Sequence, residues 1–214
     1  MDPRKTTYKN QAEQIIKNLK KRNMNGFYFE SSQEAVEAIC GMIPEDALVG
    51  LGGSETIMES GLIDALRKMN IRLLDRYKEG VTPERVAEMR QEGLLSDIYI
   101  TSSNAISSDG KIVNMDGTGN RVAAMIFGPK KVIFMVGMNK AVISLEDAIT
   151  RIKTIAGPMN SIRVNMNTPC SKLGFCADPH CHPPNRICSQ LVILEANLIP
   201  DRINVVLVGE ELGY

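Results

Sequence analysis

Tryptophan is absent from this 214-residue chain, aromatic residues make up only 5% of it, and there are just two histidines. There is also no excess of charge, because Lys plus Arg and Asp plus Glu stand at 25 each. A balanced chain projects no global positive field toward a phosphate backbone, which argues against nucleic acid as a partner. No apolar run approaches the roughly 20 residues that a membrane span needs. The opening MDPRKTTYKNQAEQIIKNLKKRN scatters charges where a secretory signal would hold an apolar stretch. The expectation is a cytoplasmic protein with no membrane partner. In that reducing compartment, clustered thiols more often bind metal or do redox chemistry than form structural disulfides.

What is present is ordinary globular composition, 43% apolar and 23% charged. The length suits one α/β domain with a real core. We expect a single domain over residues 1–214, with residues 1–25 carrying an N-terminal helix and residues 165–190 a Cys-rich loop. Ile15, Ile16 and Leu19 fall at helical spacing and predict an amphipathic helix over about residues 7–22. FYFE is a short strand, and SSQEAVEAICGMI a helix with a Ser cap and an apolar stripe of Ala35, Val36, Ile39 and Met42. Cys40 lies on that stripe, where a lone cysteine reads as core packing.

ALVGLGGSETIMESGLIDALRKM then gives an apolar strand, a glycine turn and a helix, and IRLLDR gives another strand. Thr82-Pro83-Glu84 opens a helix running to about Glu92, with Pro in the first helical position. DIYITSS, KIVNMD and KKVIFMVG are strands, and GNRVAAMIF is a helix that stops at Gly128-Pro129. SLEDAITRIKTIAG begins with a Ser144 to Asp147 capping box and closes on a glycine. QLVILEA and INVVLVGEEL follow as two strands with no helix between them, which suits an antiparallel edge or a small β extension. Strands alternating with helices imply a mostly parallel sheet covered on both faces.

Two segments hold the chemistry-bearing residues of the first part of the chain. Gly50, Gly52, Gly53 and Ser54 stand where a buried strand hands over to a helix, a place where backbone amides approach an anion. The segment is neither a Walker loop nor a full dinucleotide fingerprint, and a tight strand-to-helix turn explains it equally well. SNAISSDGKIVNMDGTGNRVAAMIFG crowds Asn104, Asn114, Asp116 and Asn120 among glycines, part of which is turn chemistry. Arg121 sits near a helix start, where the dipole disfavours a cation, so it calls for a carboxylate or an anionic ligand.

VGLGGSETIMESGL, the central SNAISSDGKIVNMDGTGNRVAAMIFGPKKVIFMVG and the closing VVLVGEELGY together resemble the lactate-utilisation (LUD) domain family, from about residue 10 onward. The pattern is also similar to a wider superfamily that includes ribose-5-phosphate isomerase, glucosamine-6-phosphate deaminase, coenzyme A transferase and methylthioribose-1-phosphate isomerase. The resemblance implies a Rossmann-like, three-layer α/β fold of the NagB/RpiA/CoA transferase-like type with a C-terminal β and Cys-rich extension. It also implies a ligand crevice at the carboxyl ends of the strands. It places Gly52, Gly53, Ser54, Thr56 and Glu59 on the family's glycine-turn segment, and Asn104, Asp109, Asn114, Asp116, Asn120 and Arg121 on its central loop. Its functional implication is an accessory role in bacterial oxidation of lactate or a similar 2-hydroxy acid, beside an iron–sulfur protein partner. No reaction is assigned to the isolated domain. Parallels in the superfamily point to a homodimer.

In this reading a small anionic metabolite lies between the 50–54 turn and the 104–121 loop. The alternative is a stand-alone isomerase or transferase acting on a sugar phosphate or a coenzyme A thioester, with Glu59 or Asp116 as acid/base or nucleophile. For Glu59, a solvated helix carboxylate is the plain counterpart.

TPCSKLGFCADPHCHPPNRIC remains, with Cys170, Cys176, Cys181 and Cys188 separated by five, four and six residues and with His180 and His182 beside the third. No gap is C-x-x-C, so neither a zinc ribbon nor the ferredoxin run is matched. Relatives in the family carry a TPCxKxGxCxDC segment, from which this chain departs at PHCHPPNRIC. The segment has too little apolar content to order itself; four thiolates, or three with a histidine, suit a tetrahedral zinc site, and an iron–sulfur cluster is the other metal reading. A redox-active thiol pair, or reduced cysteines in an ordered loop, are the other readings, and a metal-bearing module that docks to or exchanges electrons with a partner is the functional form of the first.

Overall fold

The protein is described here by a computed structural model covering residues 2–178 and 181–214. Helix α1 (Pro3–Lys21) starts where the Asp2 side chain accepts from Arg4 N and Pro3 fills the first turn. It buries Ala12, Ile15 and Leu19 at three- and four-residue spacing. β1 (Asn25–Phe29) leads to α2 (Ser32–Gly41), which opens on a reciprocal Ser31–Glu34 capping box. β2 (Leu48–Leu51) runs into α3 (Glu55–Glu59) and α4 (Leu62–Leu66), followed by β3 (Arg72–Leu74) and α5 (Pro83–Glu92). The single helix expected after the glycine turn is therefore two. Gly61 adopts φ 78° between them, a left-handed conformation that ends one helix and restarts the chain.

β4 (Ile98–Thr101), β5 (Ala105–Ser107), β6 (Ile112–Asp116), α6 (Asn120–Ile126), β7 (Lys131–Gly137) and β8 (Ala141–Val142) come next. α7 (Leu145–Arg151) begins with the expected Ser144–Asp147 capping box. It does not end at Gly157. A wider turn at Ile152–Ala156 carries the helical path into α8 (Gly157–Arg163). Pro158 has no N–H to continue the four-residue ladder, and the local widening accommodates that loss. α9 (Pro169–Leu173), β9 (Gln190–Leu194) and β10 (Ile203–Val208) complete the chain.

Six strands form one all-parallel sheet in the order β1-β10-β7-β4-β2-β3. Of the two closing strands, only β9 is antiparallel, against β6 in a second sheet of order β8-β5-β6-β9. β10 lies inside the parallel sheet between β1 and β7, and not at an edge as the sequence suggested. All six of its residues are buried, which matches the near-continuous apolar run of a strand covered on both faces.

Alternation along β7 and β10 divides the core into two layers. Ile133, Met135, Val206 and Val208 meet α2, α3 and α4 on one face. Phe134, Val136, Val205 and Leu207 meet α1 and α6 on the other. A smaller core of Ala105, Val113, Ala148 and Ile152 holds the second sheet against α7. This is the three-layer Rossmann-like α/β fold that the sequence predicts. After β2 the chain moves outward to β3, whereas after β4 it moves the other way toward β7, so the order reverses between β2 and β4. That reversal point, at the strands' carboxyl ends, is where such sheets open a crevice.

Candidate functional site

A cavity of about 360 Å³ opens at that reversal point. Its floor comes from the chain leaving β2 and β4. Gly52 has to be glycine because a Cβ there would stand 2.6 Å from Thr101 Oγ1. Gly52 N donates to Ile100 O at 2.9 Å, and Ser54 N to the Tyr77 hydroxyl at 3.1 Å. Tyr77 in turn donates to Gly52 O at 3.0 Å, so the turn is clamped from within and two of its amides are already engaged.

Arg121 is the organiser of the facing wall. Its guanidinium donates to Ser102 O (3.1 Å), Asn114 Oδ1 (2.7 Å), Asn104 Oδ1 (3.2 Å) and Met115 O (2.8 Å). The fifth direction is taken by Asp116, 3.2 Å from Nε. A guanidinium has five N–H donors, and here each faces a protein oxygen. The partner its position demanded is thus the nearby carboxylate, and its work is to hold β4, β6 and the 117–120 turn together. Burial pulls its pKa down, and Asp116 opposes that shift.

Among the residues singled out from sequence, Gly53, Ser54, Asn104, Asp116, Asn120 and Arg121 line the cavity. Gly52, Thr56 and Asn114 lie beneath its lining. Asp109 is elsewhere, at the β5–β6 turn, paired with Arg22 at 2.8 Å and Lys111 at 3.2 Å. Glu59 is exposed and accepts from Gly213 N at 2.7 Å, tying down the chain end outside the cavity lining.

The sequence reading passed over the cavity's most unusual side chain. Lys140 follows β7 by three residues and is only 2% exposed. Its Nζ donates to Thr56 Oγ1 at 2.5 Å and Ser102 Oγ at 3.2 Å, and no carboxylate pairs with it among the described residues. Burial drives its pKa down to about 7, with Arg151 and Arg121 adding repulsion and Glu59 working against them. Arg151 is buried too, donating to Asn104 O at 2.7 Å and Asn139 O at 3.2 Å.

Arg76, Arg90, Arg163 and Arg186 reach the same cavity from four other segments. Among the described residues six basic side chains therefore line it, against two carboxylates, Glu55 and Asp116. Asp116 is taken by Arg121, whereas Glu55 Oε2 lies 3.6 Å from Arg163 Nε and has no hydrogen-bond partner among the described residues. Arg90 Nε is buried without a hydrogen-bond partner among the described residues. Cations without an ion-pair partner on a concave wall focus positive potential and favour an anion. One signal for these residues was available in the sequence: Arg76 and Lys140 each stand just past the carboxyl end of a strand.

The four loop cysteines converge. Cys170, Cys176, Cys181 and Cys188 all line a second cavity of about 140 Å³. Cys188 also lines the first, together with Arg186 and Ile187. All five cysteines are free thiols, and Cys40 sits half-buried against the main core. Burial pushes the Cys188 thiol up to about 11. Among the described residues no three His, Cys, Asp or Glu side chains are grouped as a single metal ion would hold them. His182 is exposed, and His180 lies outside the described residues. Among the described residues no helix is long and apolar enough to cross a membrane.

No curated protein matches the chain in sequence. Among solved structures, a DUF162 family protein from Deinococcus radiodurans is similar at a TM-score of 0.51 and 15% identity, over 95% of this chain and 98% of that one. The likeness is one of fold. Weaker matches are eIF2B delta from Chaetomium thermophilum (TM-score 0.37, 16% identity, 56% of this chain and 50% of that one) and ribose 5-phosphate isomerase A from Neisseria gonorrhoeae (TM-score 0.34, 17% identity, 53% and 54%). The family model for the LUD domain matches residues 12–208, spanning the parallel sheet, the cationic cavity and the cysteine loop, and the chain belongs to the LUD domain family.

Proposed function

We propose that this LUD domain binds a small metabolite bearing a carboxylate or phosphate in the cavity between the 53–54 turn and the 116–121 segment. The ligand serves bacterial use of lactate or a related 2-hydroxy acid. The observation that carries the reading is the charge of the cavity: Arg76, Arg90, Lys140 and Arg186 line it with no ion-pair partner among the described residues. A ligand anion supplies the missing counter-charge, and the cavity's 360 Å³ leaves room for a body larger than lactate. Thermal-shift measurements with lactate, pyruvate, ribose 5-phosphate and coenzyme A test it. A ligand at 100 times its Kd stabilises the folded state by about 2.7 kcal/mol, which is easily read as a rise in Tm. Indifference to every anion, inorganic phosphate and pyrophosphate included, contradicts the proposal.

One observation favours a catalytic version of the same site. A buried amine with a pKa near 7 is in part neutral at physiological pH, as a general base or an amine nucleophile requires. With a 2-oxo acid, the Lys140 amine would add to the carbonyl carbon and release water, giving an imine that cyanoborohydride reduces to a stable secondary amine. Incubation with pyruvate and cyanoborohydride, followed by peptide mass spectrometry, should mark Lys140. Modification confined to exposed lysines would leave the site a binding site only.

A further inference from the structure

The cysteine loop is built as a wall around a space. Thr168 caps α9 by accepting from Ser171 N, and Gly174 ends it at φ 81°, which fixes the single turn that presents Cys170. Cys176 N donates to Lys153 O at 3.0 Å, hanging the next segment from the widened turn before α8. Arg186 donates to Cys181 O at 2.9 Å and to Cys188 O at 2.7 Å, tying the last two cysteines to one guanidinium. Ser189 N then donates to Asp116 O at 2.9 Å, anchoring the loop's end beside the ligand cavity. The four cysteines thus sit on backbone held by specific bonds and line one cavity, with Cys170 Sγ 3.1 Å from Thr168 Oγ1 and Cys176 Sγ donating to Asp178 O at 3.9 Å.

The size of that cavity separates the metal readings. A structural zinc ion sits about 2.3 Å from each of four sulfurs and closes them to within about 4 Å of one another, leaving no void. Here the four cysteines, together with the rest of the lining, border a space of about 140 Å³, against the roughly 10–15 Å³ that one water molecule needs. Its remaining wall mixes apolar Met115, Pro158 and Ile187 with polar Lys153, Thr168, Asp178 and Arg186. An inorganic cluster is a body of this scale. It takes four thiolates, and its potential is set by an apolar, partly shielded surround. The gaps of five, four and six residues let the ligands reach around a wide object.

We propose that Cys170, Cys176, Cys181 and Cys188 are the four-thiolate cradle of an iron–sulfur cluster set into the wall of the anion cavity. Arg186 and Cys188 belong to both cavities, so the cluster lies one layer of residues from a bound anion. The cluster site stands whether or not the metabolite reading holds, because its ligands are outside the set that carries that reading.

The test is anaerobic reconstitution of the untagged full chain with ferrous iron, sulfide and a thiol reductant. Desalting is followed by iron and acid-labile sulfide analysis, and a parallel sample receives zinc alone. We expect iron and sulfide in equal amounts per chain, with broad visible absorption that bleaches on adding dithionite. Cys176→Ser should lose the cluster, whereas Cys40→Ser, altered in the core far along the chain, should keep it. Because the parent protein is itself assayed, a misfolded variant does not rescue the idea. Failure of the parent to retain iron and sulfide overturns it. So does stoichiometric zinc without cluster uptake, or a cluster that survives in both Cys170→Ser and Cys176→Ser.

Discussion

Replacing Lys140 by methionine should make the protein more stable near neutral pH while abolishing what the site does. The lysine's pKa falls from its ordinary 10.5 to about 7 on folding. Between those values the unfolded chain binds more protons than the folded one, so the native state gains stability as pH rises from 7 toward 10.5. At about 1.36 kcal/mol per unit, the burial penalty is about 4 kcal/mol at pH 7 and about 1.4 kcal/mol at pH 9.5. Methionine removes it but forfeits the hydrogen bonds to Thr56 and Ser102, at about 1 kcal/mol each. The variant should thus be about 2 kcal/mol more stable than the parent at pH 7, which for a chain of this length is a Tm rise of about 4–8 °C. At pH 9.5 the advantage should vanish or turn slightly negative. Urea unfolding of both proteins at the two pH values measures this, since the difference between them isolates one titrating group. A variant less stable at pH 7, or a difference that does not change with pH, would show that Lys140 stays charged in the folded protein, and the reasoning would fail. A functional residue that lowers stability is the usual signature of a site under selection for activity.

Other substitutions probe the frame of the site. Arg121→Met leaves the Asp116 carboxylate and two amide oxygens without their shared donor, and should cost about 3–5 kcal/mol in urea unfolding. A loss under 1 kcal/mol would mean that the network is replaceable by water. Gly128 and Gly61 both have positive φ, but a Cβ on Gly128 would meet Leu94 O at 2.2 Å, whereas around Gly61 there is open space. Gly61→Ala should therefore cost about 1–2 kcal/mol from strain alone, and Gly128→Ala clearly more. Equal losses would show that the contact relaxes freely. Arg202→Ala removes three hydrogen bonds to the buried carbonyls of Ala124, Met125 and Pro129 at the end of α6, and should lower stability by about 2–4 kcal/mol with anion binding unchanged.

The layered sheet was readable because parallel strands buried on both faces announce themselves as apolar runs between capped helices. KKVIFMVG and TPERVAEMRQE fall within a residue or two of β7 and α5. Strand order was not readable in the same way. INVVLV looks the same at an edge as in the middle of a sheet, and its place between β1 and β7 is decided by contacts more than 60 residues away along the chain. Gly157-Pro158 reads locally as a stop, yet packing of α8 carries the helix across it. The site divides similarly. Arg121 was legible because a cation at a helix start needs a partner, and Asp116 is five residues upstream. Lys140, Arg76, Arg90, Arg163 and Arg186 come from five separate segments and share no motif, so only the fold brings them to one cavity.

The measurement that tests the cationic cavity most directly is calorimetric titration of pyrophosphate and of ribose 5-phosphate into the parent protein at low and high salt. It is repeated with Arg90→Gln, which changes a side chain whose Nε has no hydrogen-bond partner among the described residues. Binding to the parent that weakens with salt, and is several-fold weaker in a variant of unchanged stability, is the expected result. Anion binding equal in the two proteins, or none in the parent at low salt, would contradict it.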